Sequence, residues 1–288
     1  MRFKKLIIIL GVFLFILFPG KFKAENNNQT KIIADSSGYI EIKKVRLYYE
    51  IHGEGMPLLY LHGGLSSSLD FSKYVPELSK HFKVITFDRR GHGRSNDNDE
   101  DFSYASMAEY TNLFLDRIGI SKAFVIGWSD GGVVGYHLAS KYPSKVIKLI
   151  AVGANYLVEG MTESSIEWIK SQMTVEEISR TYPSVESDFK KLNPVPNNFK
   201  NFIIKTREMW LRDPYISKAD FEKINVPVLL IAGDRDDIRL EHMFEMYALL
   251  KYSQLCILPN TTHFVFDEYD DTVTKIISEF LKETDQEN

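Results

Sequence analysis

The sequence predicts an α/β fold, in which a mostly parallel β-sheet is flanked by helices and interrupted by one inserted helical cap. Short apolar runs rich in β-branched residues alternate with stretches in which apolar residues recur at helical spacing. The apolar runs are continuous, which is typical of strands covered on both faces of a parallel sheet. The 288 residues are 44% hydrophobic and 26% charged, a composition that suits one sizeable domain.

The predicted elements follow one another from about Tyr39 onward. A hairpin is predicted first, from "YIEIK" and "VRLYYEIHG" around a lysine-rich turn. Buried strands are predicted in "PLLYLHGG", "FKVITF", "AFVIGWS", "VIKLIAVGA", "VPVLLIAGD" and "SQLCILP". Helices are predicted in "SKYVPELSK", "YASMAEYTNLFLDRIGI", "DGGVVGYHLASKYP", "RLEHMFEMYALLK" and "DTVTKIISEFLKE". Strands that alternate with helices predict parallel pairing.

Residues 155–217 break the alternation, because they contain helical patterns and no strand-like run. We interpret them as a helical cap over the end of the sheet. The core is then residues 39–154 and 218–288, preceded by a polar spacer at residues 25–38. Aromatic residues of the cap either line an apolar pocket or pack the cap on itself, and packing is the commoner use: Tyr156, Trp168, Tyr182, Phe199 and Trp210.

The first 24 residues have the pattern of an export signal. A cationic "MRFKK" precedes an apolar run from Leu6 to Phe18 that is too short to span a bilayer. Ala24 offers a cleavage site, although Phe22 stands where a small residue is expected. A cleaved signal predicts a periplasmic or secreted protein, and an uncleaved one predicts membrane anchoring by residues 6–18. A core helix is disfavoured because the run has no polar face.

Charge and composition narrow the classes of partner. The net charge of −4, without a long basic run in the body of the chain, predicts no nucleic-acid partner. Cys256 is the only cysteine, so no internal disulfide forms, and its apolar surroundings favour a buried, inert thiol. No Cys/His cluster has metal-ligand spacing, so neither a metal nor a cofactor is predicted. The sequence does not predict an oligomeric state.

The segment Gly127-Trp128-Ser129-Asp130-Gly131 lies between a predicted strand and a predicted helix. This is the context of a nucleophile elbow, in which a tight turn exposes a strained serine next to a helix N-terminus. The alternative is that Ser129 only caps the helix. A serine nucleophile needs a base, and the base needs a group that orients it. His263 follows the last predicted strand, and acids at 234, 236 and 237 follow the strand before it.

On these motifs the chain resembles the α/β-hydrolase superfamily from about Tyr39 to the C-terminus. The resemblance implies Ser129 as nucleophile, His263 as base and Asp236 as the orienting acid, with Asp234 and Asp237 as competitors for the last role. The loop "LYLHGGLSS" resembles the family's oxyanion loop. It implies the backbone N–H groups of Gly64 and Asp130 as oxyanion donors, with Leu65 as the alternative to Gly64.

The remaining polar residues of these motifs are expected to be structural. His62 is expected to brace the oxyanion loop, and "DRRGHGRS" to form a tight turn behind the site. That turn contributes three residues expected to be structural: Arg90, His92 and Ser95. Four histidines have no identified partner and are interpreted as ordinary: His52, His81, His137 and His242.

"GWSDGG" with "ASKYPSKVIKLIAVGAN" is similar to the valacyclovir-hydrolase-like, or biphenyl-hydrolase-like, branch of the superfamily. The resemblance implies that the acid after the nucleophile, here Asp130, attracts a substrate α-amino group through a charge-assisted contact. The alternative is that Asp130 only complements the helix N-terminus. The match of the cap to this branch is not established by the sequence.

The sequence thus predicts a serine hydrolase of a small carboxylic ester, with an α-amino-acid ester as one candidate substrate. An amidase or aminopeptidase, a carbon–carbon hydrolase and a cofactor-free haloperoxidase share these core motifs and stay as alternatives. A non-enzymatic binding module is disfavoured, because such a protein has no reason to keep nucleophile, base, acid and oxyanion loop together.

Overall fold

The structure is a computed structural model that describes residues 34–213 and 215–282. The predicted leader, residues 1–24, and residues 25–33 of the predicted spacer lie outside the described residues. The described residues belong to one compact unit, Ile32–Asn288. Within the described ranges, every helix is either too short or too polar to cross a bilayer.

One sheet runs through the described residues. Its strands are β1 (Ser36–Ile42), β2 (Val45–His52), β3 (Met56–Leu61), β4 (Phe82–Phe87), β5 (Ala123–Trp128), β6 (Val146–Val152), β7 (Val228–Gly233) and β8 (Ser253–Leu258). Their spatial order is β1-β2-β4-β3-β5-β6-β7-β8. Strand β2 pairs antiparallel with β1 and with β4, and the other neighbours pair in parallel. The predicted α/β fold class is confirmed.

From β3 onward, at least one helix lies between successive strands of the described residues. The helices are α1 (Val75–Leu78), α2 (Tyr104–Arg117), α3 (Asp130–Lys141), α4 (Glu163–Ser171), α5 (Val175–Thr181), α6 (Pro183–Leu192), α7 (Phe199–Arg212), α8 (Lys218–Phe221), α9 (Leu240–Leu249), α10 (Val265–Glu268) and α11 (Asp270–Lys282). Short 3-10 turns occupy Ser68–Phe71, Pro143–Lys145, Val158–Gly160 and Pro196–Asn198. The very short α8 and α10 had no signal in the apolar pattern.

The opening hairpin turns at Lys43 and Lys44, which have φ angles of 50° and 67°. Two successive residues with positive φ form the kind of tight turn that matches the twist of a hairpin. Strand β1 begins at Ser36, so the last three residues assigned to the polar spacer are in fact strand. Alternation of exposed and half-buried residues at this sheet edge explains why the apolar pattern located the start late.

The core covers both faces of the sheet. Neighbouring residues of one strand belong to different apolar clusters: Leu59 and Leu61 pack on one side, and Leu58 and Tyr60 on the other. Successive side chains of a strand point to opposite faces, so both faces are buried. The first cluster includes α2 and α3, and the second includes α1 and α11.

Residues 155–217 contain α4 to α7 and form an insertion between β6 and β7. In the described part of this segment no residue joins the sheet, although isolated bridges link Leu157 with Tyr215 and Met161 with Ile238. Apolar cap residues belong to the same cluster as the core beneath them: Ile169, Phe189, Phe202 and Met209. The inserted segment is helical, as its sequence pattern predicts.

An acidic loop, residues 97–101, holds the cap to the core. The Lys205 ammonium of α7 donates to Asp97 Oδ2 and to the carbonyls of Asn98 and Glu100, each at 2.8 Å. From the core side, Arg90 donates to Asp97 Oδ1 at 2.8 Å and to the Asp101 carbonyl at 2.6 Å. Both cations are buried. The loop therefore binds one positive side chain from the core and one from the cap.

Candidate active site

The candidate site lies at the carboxyl ends of four strands that are close together in the sheet. Ser129 directly follows β5, Asp236 follows β7 by three residues, and His263 follows β8 in a loop. The loop after β3 carries Gly64 beside them. In parallel sheets this edge is where ligand sites form, because loops from several strands converge there.

The turn that presents Ser129 is strained. Ser129 has φ 52° and ψ −120°, a conformation that a non-glycine residue rarely adopts. A Cβ atom on Gly131 would lie 1.9 Å from the Leu61 carbonyl oxygen, and one on Gly127 would lie 2.3 Å from the Gly131 oxygen. Ser129 makes no side-chain capping hydrogen bond to α3. The helix-cap interpretation therefore has no support, and the hydroxyl is left available.

A hydrogen-bonded chain joins the three side chains that the sequence singles out. Ser129 Oγ lies 2.9 Å from His263 Nε2, and His263 Nδ1 lies 2.8 Å from Asp236 Oδ1. A carboxylate only accepts, so Nδ1 carries a proton, and Nε2 of the neutral ring accepts from the serine hydroxyl. Asp236 is buried, whereas Ser129 and His263 are partly exposed. This arrangement can activate the serine and still admit a substrate.

Two opposing effects act on the pKa of His263. Burial lowers it, but the Asp236 charge and its hydrogen bond outweigh burial and raise the pKa to about 9. Smaller contributions in the same direction come from Asp237 and Asp130. The site thus stabilises the imidazolium, the form that results when the ring takes a proton from serine.

The competing acids have other partners. Asp234 accepts the Thr261 backbone N–H at 3.1 Å, and Asp237 accepts the Ser165 hydroxyl at 2.7 Å. Both are exposed. Asp236 instead accepts the Ile238 backbone N–H at 3.0 Å with the same oxygen that contacts His263, which fixes the carboxylate. The structure brings only Asp236, of these three acids, into hydrogen-bond contact with His263.

Buried side chains support the loop after β3, which the sequence predicts to be the oxyanion loop. His62 is fully buried, and its Nε2 accepts the Arg89 backbone N–H at 3.0 Å while Nδ1 donates to the Gly63 carbonyl at 2.7 Å. Burial lowers the pKa of His62 well below its usual range, so the ring is neutral. His62 thus has the bracing contacts expected for it. Leu65, the alternative donor, has φ 55°.

The Asp130 side chain is buried next to that loop. Oδ1 accepts the Tyr104 hydroxyl at 2.6 Å, and the Trp210 indole N–H lies 2.9 Å from Oδ1 and 3.1 Å from Oδ2. A Cβ atom on Gly64 would lie 2.6 Å from Oδ2. Tyr104 comes from the core and Trp210 from the cap, so the carboxylate joins both parts at the site. Only 4% of the Asp130 residue is exposed.

The "DRRGHGRS" residues have the structural contacts expected of them. Ser95 Oγ donates to the Asp88 carbonyl at 2.6 Å, and His92 contacts the Arg90 carbonyl at 3.0 Å. Two histidines thought to lack partners have them: His52 lies 3.4 Å from Glu50, and His242 accepts the Tyr156 backbone N–H at 3.3 Å. Glu50 is two residues from His52 on one strand face, a spacing visible in the sequence.

Most cap aromatics pack against other rings. Tyr156 stacks on His242, Phe199 packs on Phe189, and Trp168 meets Tyr182 edge to face. Trp210 is the exception, because it reaches Asp130. Sequence reasoning missed Tyr104 and Arg89, since a tyrosine at a helix start and the first arginine of "DRR" carry no signal of their own.

Cys256 is half-buried, and burial raises the pKa of its thiol. Among the described residues, no group of three or more His, Cys, Asp or Glu side chains could hold a metal ion.

Comparison with known proteins agrees with the observed sheet on the type of fold. A family model described as alpha/beta hydrolase fold matches residues 56–178. The structure matches that of a putative lipase from Acinetobacter baumannii with a TM-score of 0.74 at 19% identity, covering 85% of this chain and 90% of the other. Together with the sheet order, these findings show that the chain has the α/β-hydrolase fold.

Two relatives indicate the branch. The serine hydrolase BPHL of Homo sapiens is 26% identical over 263 residues, which is 86% of this chain and 87% of the relative. A 2-hydroxy-6-oxononadienedioate/2-hydroxy-6-oxononatrienedioate hydrolase of Comamonas testosteroni is 25% identical over 267 residues, 83% of this chain and 92% of the relative. The resemblance to the BPHL-like branch is thereby confirmed, and the family supports a hydrolase activity.

Proposed function

We propose that the protein is a serine hydrolase that cleaves a small carboxylic ester through an acyl-enzyme intermediate. The observation that carries the proposal is the continuous contact from Ser129 Oγ to His263 and from His263 to Asp236, at 2.9 and 2.8 Å. Ser129 attacks the ester carbonyl while His263 takes its proton. The collapsing intermediate expels the alcohol, which receives that proton from His263.

In the second half of the reaction, water attacks the acyl-enzyme with His263 again as base, and Ser129 leaves as a hydroxyl. Asp236 holds the imidazole orientation and stabilises its charged form. The backbone N–H groups of Gly64 and Asp130 are proposed to bind the oxyanion, because they belong to the loop after β3 and to the start of α3. Apart from the substrate and one water molecule, these steps use only the chain's own residues and need no cofactor.

An α-amino-acid ester is the finer substrate proposal. The resemblance to the BPHL-like branch supports it, with Asp130 as the anchor for the amino group. Both Asp130 oxygens already accept hydrogen bonds from Trp210, and Oδ1 also from Tyr104. A carboxylate has about four lone-pair sites, so an ammonium can be added only beside or in place of these donors.

A carbon–carbon hydrolase is the second candidate, and the similarity to the Comamonas testosteroni protein over 83% of the chain favours it. An amidase, an aminopeptidase or a cofactor-free haloperoxidase would use the same side chains. We further propose that the protein is exported, or anchored to a membrane by residues 6–18, and acts on small molecules rather than nucleic acid.

The test compares the purified full-length protein with Ser129→Ala on p-nitrophenyl acetate, butyrate and octanoate, and with a fluorophosphonate probe. We expect ester turnover and labelling in the parent, and a loss of kcat of at least about 10³-fold in the variant. Thr262→Ala, in the loop that carries His263, controls for effects of substitution and purification that do not involve the Ser129 hydroxyl. Equal turnover by parent and Ser129→Ala would contradict the serine mechanism, and turnover of a vinylogous diketone but of no ester would favour the carbon–carbon hydrolase.

A further inference from the structure

The carbonyl of Gly63 is an unusual acceptor in this site. Three donors converge on it: His62 Nδ1 at 2.7 Å, Arg89 Nη2 at 2.8 Å and Ser66 Oγ at 3.0 Å. A carbonyl oxygen has two lone pairs, so three donors saturate it. This carbonyl belongs to the same peptide unit as the Gly64 N–H, one of the two proposed oxyanion donors.

A peptide unit is planar, and its carbonyl and N–H point in opposite directions. Fixing the Gly63 oxygen therefore fixes the direction of the Gly64 N–H. Donors at the oxygen also draw electron density from the amide nitrogen, which makes the N–H a stronger donor. A charged donor does so more strongly than a neutral one. The guanidinium of Arg89 is the charged member of the three.

Arg89 has no competing carboxylate partner. It is 1% exposed, and its Nε and Nη1 have no hydrogen-bond partner among the described residues. A buried guanidinium without a directly bonded carboxylate destabilises a fold. By contrast, the equally buried Arg90 contacts Asp97 at 2.8 Å. The position of Arg89 is thus poorly explained by stability alone.

Arg89 acts on the loop by a second route. Its backbone N–H donates to His62 Nε2 at 3.0 Å, which leaves the ring proton on Nδ1, where it is donated to the Gly63 carbonyl. In addition, the Asp130 carboxylate lies against Gly64, and a negative charge there opposes an oxyanion. A buried positive charge behind the same peptide offsets that repulsion.

We propose that Arg89 is a positioning residue of the oxyanion hole, whose guanidinium holds and polarises the Gly63–Gly64 peptide so that its N–H stabilises the oxyanion. The inference rests on the proposed function. Arg89 acts through the peptide and not on the substrate, so its effect falls on the transition state and leaves ground-state binding nearly unchanged.

The test uses one conservative substitution at two adjacent buried arginines, Arg89→Lys and Arg90→Lys, together with Arg89→Met. Turnover of p-nitrophenyl butyrate and inhibition by phenylboronic acid, which forms a tetrahedral adduct on serine, are measured on full-length protein. For Arg89→Met we expect kcat to fall about 10- to 100-fold with KM within about threefold, and the inhibition constant to rise by a similar factor. Arg89→Lys retains the charge and is expected to recover part of the loss.

Arg90→Lys is the matched control, since Arg90 holds the loop at residues 97–101 and not the oxyanion loop. We expect its kcat and boronic-acid affinity to stay within about twofold of the parent, whatever its thermal stability. The inference is overturned if folded Arg89 variants keep both quantities unchanged, or if Arg90→Lys loses both as strongly as Arg89→Lys.

If the Arg89 variants do not fold, Ser66→Ala tests whether donors to the Gly63 carbonyl affect catalysis. It removes a neutral donor from the same carbonyl, so we expect a smaller loss of kcat and of boronic-acid affinity, about two- to fivefold. No loss in either quantity overturns the inference while ester turnover by the parent upholds the proposed function. A parent that neither hydrolyses esters nor is labelled at Ser129 overturns both.

Discussion

The indole N–H of Trp210 lies 2.9 Å from one oxygen of the Asp130 carboxylate and 3.1 Å from the other. This contact joins α7 of the cap to the first residue of α3, directly after the candidate nucleophile. It also occupies the group to which the resemblance assigns substrate recognition. If Asp130 binds the substrate as proposed, we expect substrate preference to depend on Trp210 as well.

Trp210→Phe removes this donor and keeps a smaller aromatic ring at the position. Because Asp130 then loses one partner, we expect the preference for a free-amine ester over its N-acetylated counterpart to rise about three- to tenfold in kcat/KM. Trp168→Phe is the matched control, since Trp168 packs on Tyr182 in the cap. An unchanged preference in Trp210→Phe would remove Asp130 as the amine anchor.

The pH dependence of hydrolysis follows from the raised pKa of His263. The ring must be neutral to take the serine proton, so activity is lost as the pH falls through its pKa of about 9, and we expect an alkaline optimum. Asp236→Asn removes the charge that raises the pKa, which leaves burial to lower it. The acid limb of kcat/KM should move to lower pH, while kcat falls by about 10³- to 10⁴-fold.

Asp234→Asn is the control for that experiment, because Asp234 is exposed and accepts from Thr261 rather than from His263. Its pH profile should match that of the parent. An acid limb that moves as far in Asp234→Asn as in Asp236→Asn would mean that general surface charge, and not the contact with His263, sets the profile.

Acid stability is expected to depend on Glu50. Its carboxylate contacts His52, accepts the Tyr48 hydroxyl at 2.9 Å and pairs with Arg94 at 2.8 Å. The hydrogen bond with His52 lowers the pKa of Glu50, burial raises it, and the Arg94 charge lowers it further. The net result is a pKa of about 2. A lowered folded pKa contributes stability above the unfolded value of 4.5, and that stability is lost as the pH falls towards 2.

Glu50→Gln should therefore lower the free energy of unfolding by about 1–3 kcal/mol at pH 7, with a smaller difference at pH 3. Urea unfolding at both pH values measures it. Glu77→Gln breaks an exposed pair with Lys80 and should leave unfolding unchanged. A Glu50→Gln deficit that stays constant between pH 7 and pH 3 would argue for lost packing instead of lost charge.

The elbow is expected to tolerate no side chain at residue 131. In Gly131→Ala the new Cβ would lie 1.9 Å from the Leu61 carbonyl, so β3 and α3 must separate. We expect a destabilisation of more than about 3 kcal/mol, seen as a lower midpoint of thermal unfolding. Gly38→Ala meets only the Tyr49 ring at 3.7 Å and should unfold like the parent. Equal midpoints for the two variants would contradict the packing described at the elbow.

Sequence patterns predicted the sheet well, and the three side chains that they single out are joined by hydrogen bonds in the structure, for physical reasons. Buried parallel strands are continuous apolar runs, and the elbow requires glycines at fixed positions around Ser129. Asp236 was ranked above its neighbours by resemblance, and its contact with His263 now gives a geometric reason. The start of β1 was missed because an edge strand is half exposed and lacks a strong apolar pattern.

The contacts around Asp130 could not be predicted, because they join residues far apart in the chain. Tyr104 lies 26 positions away and Trp210 lies 80 away. No local pattern shows that a tyrosine at the start of α2 and a tryptophan in a cap helix meet one carboxylate. The same holds for Arg89, whose contact with Gly63 spans 26 positions.

The contacts that the acidic loop at residues 97–101 makes between cap and core are expected to be insensitive to salt. Dissolved ions weaken attraction between charges only where they can approach them, and Arg90 and Lys205 are both buried. The contacts of Arg90 and Lys205 with the loop are thus expected to depend little on the ionic strength of the medium. We therefore expect the contacts between α7 and the core to persist at low and at high salt concentration alike.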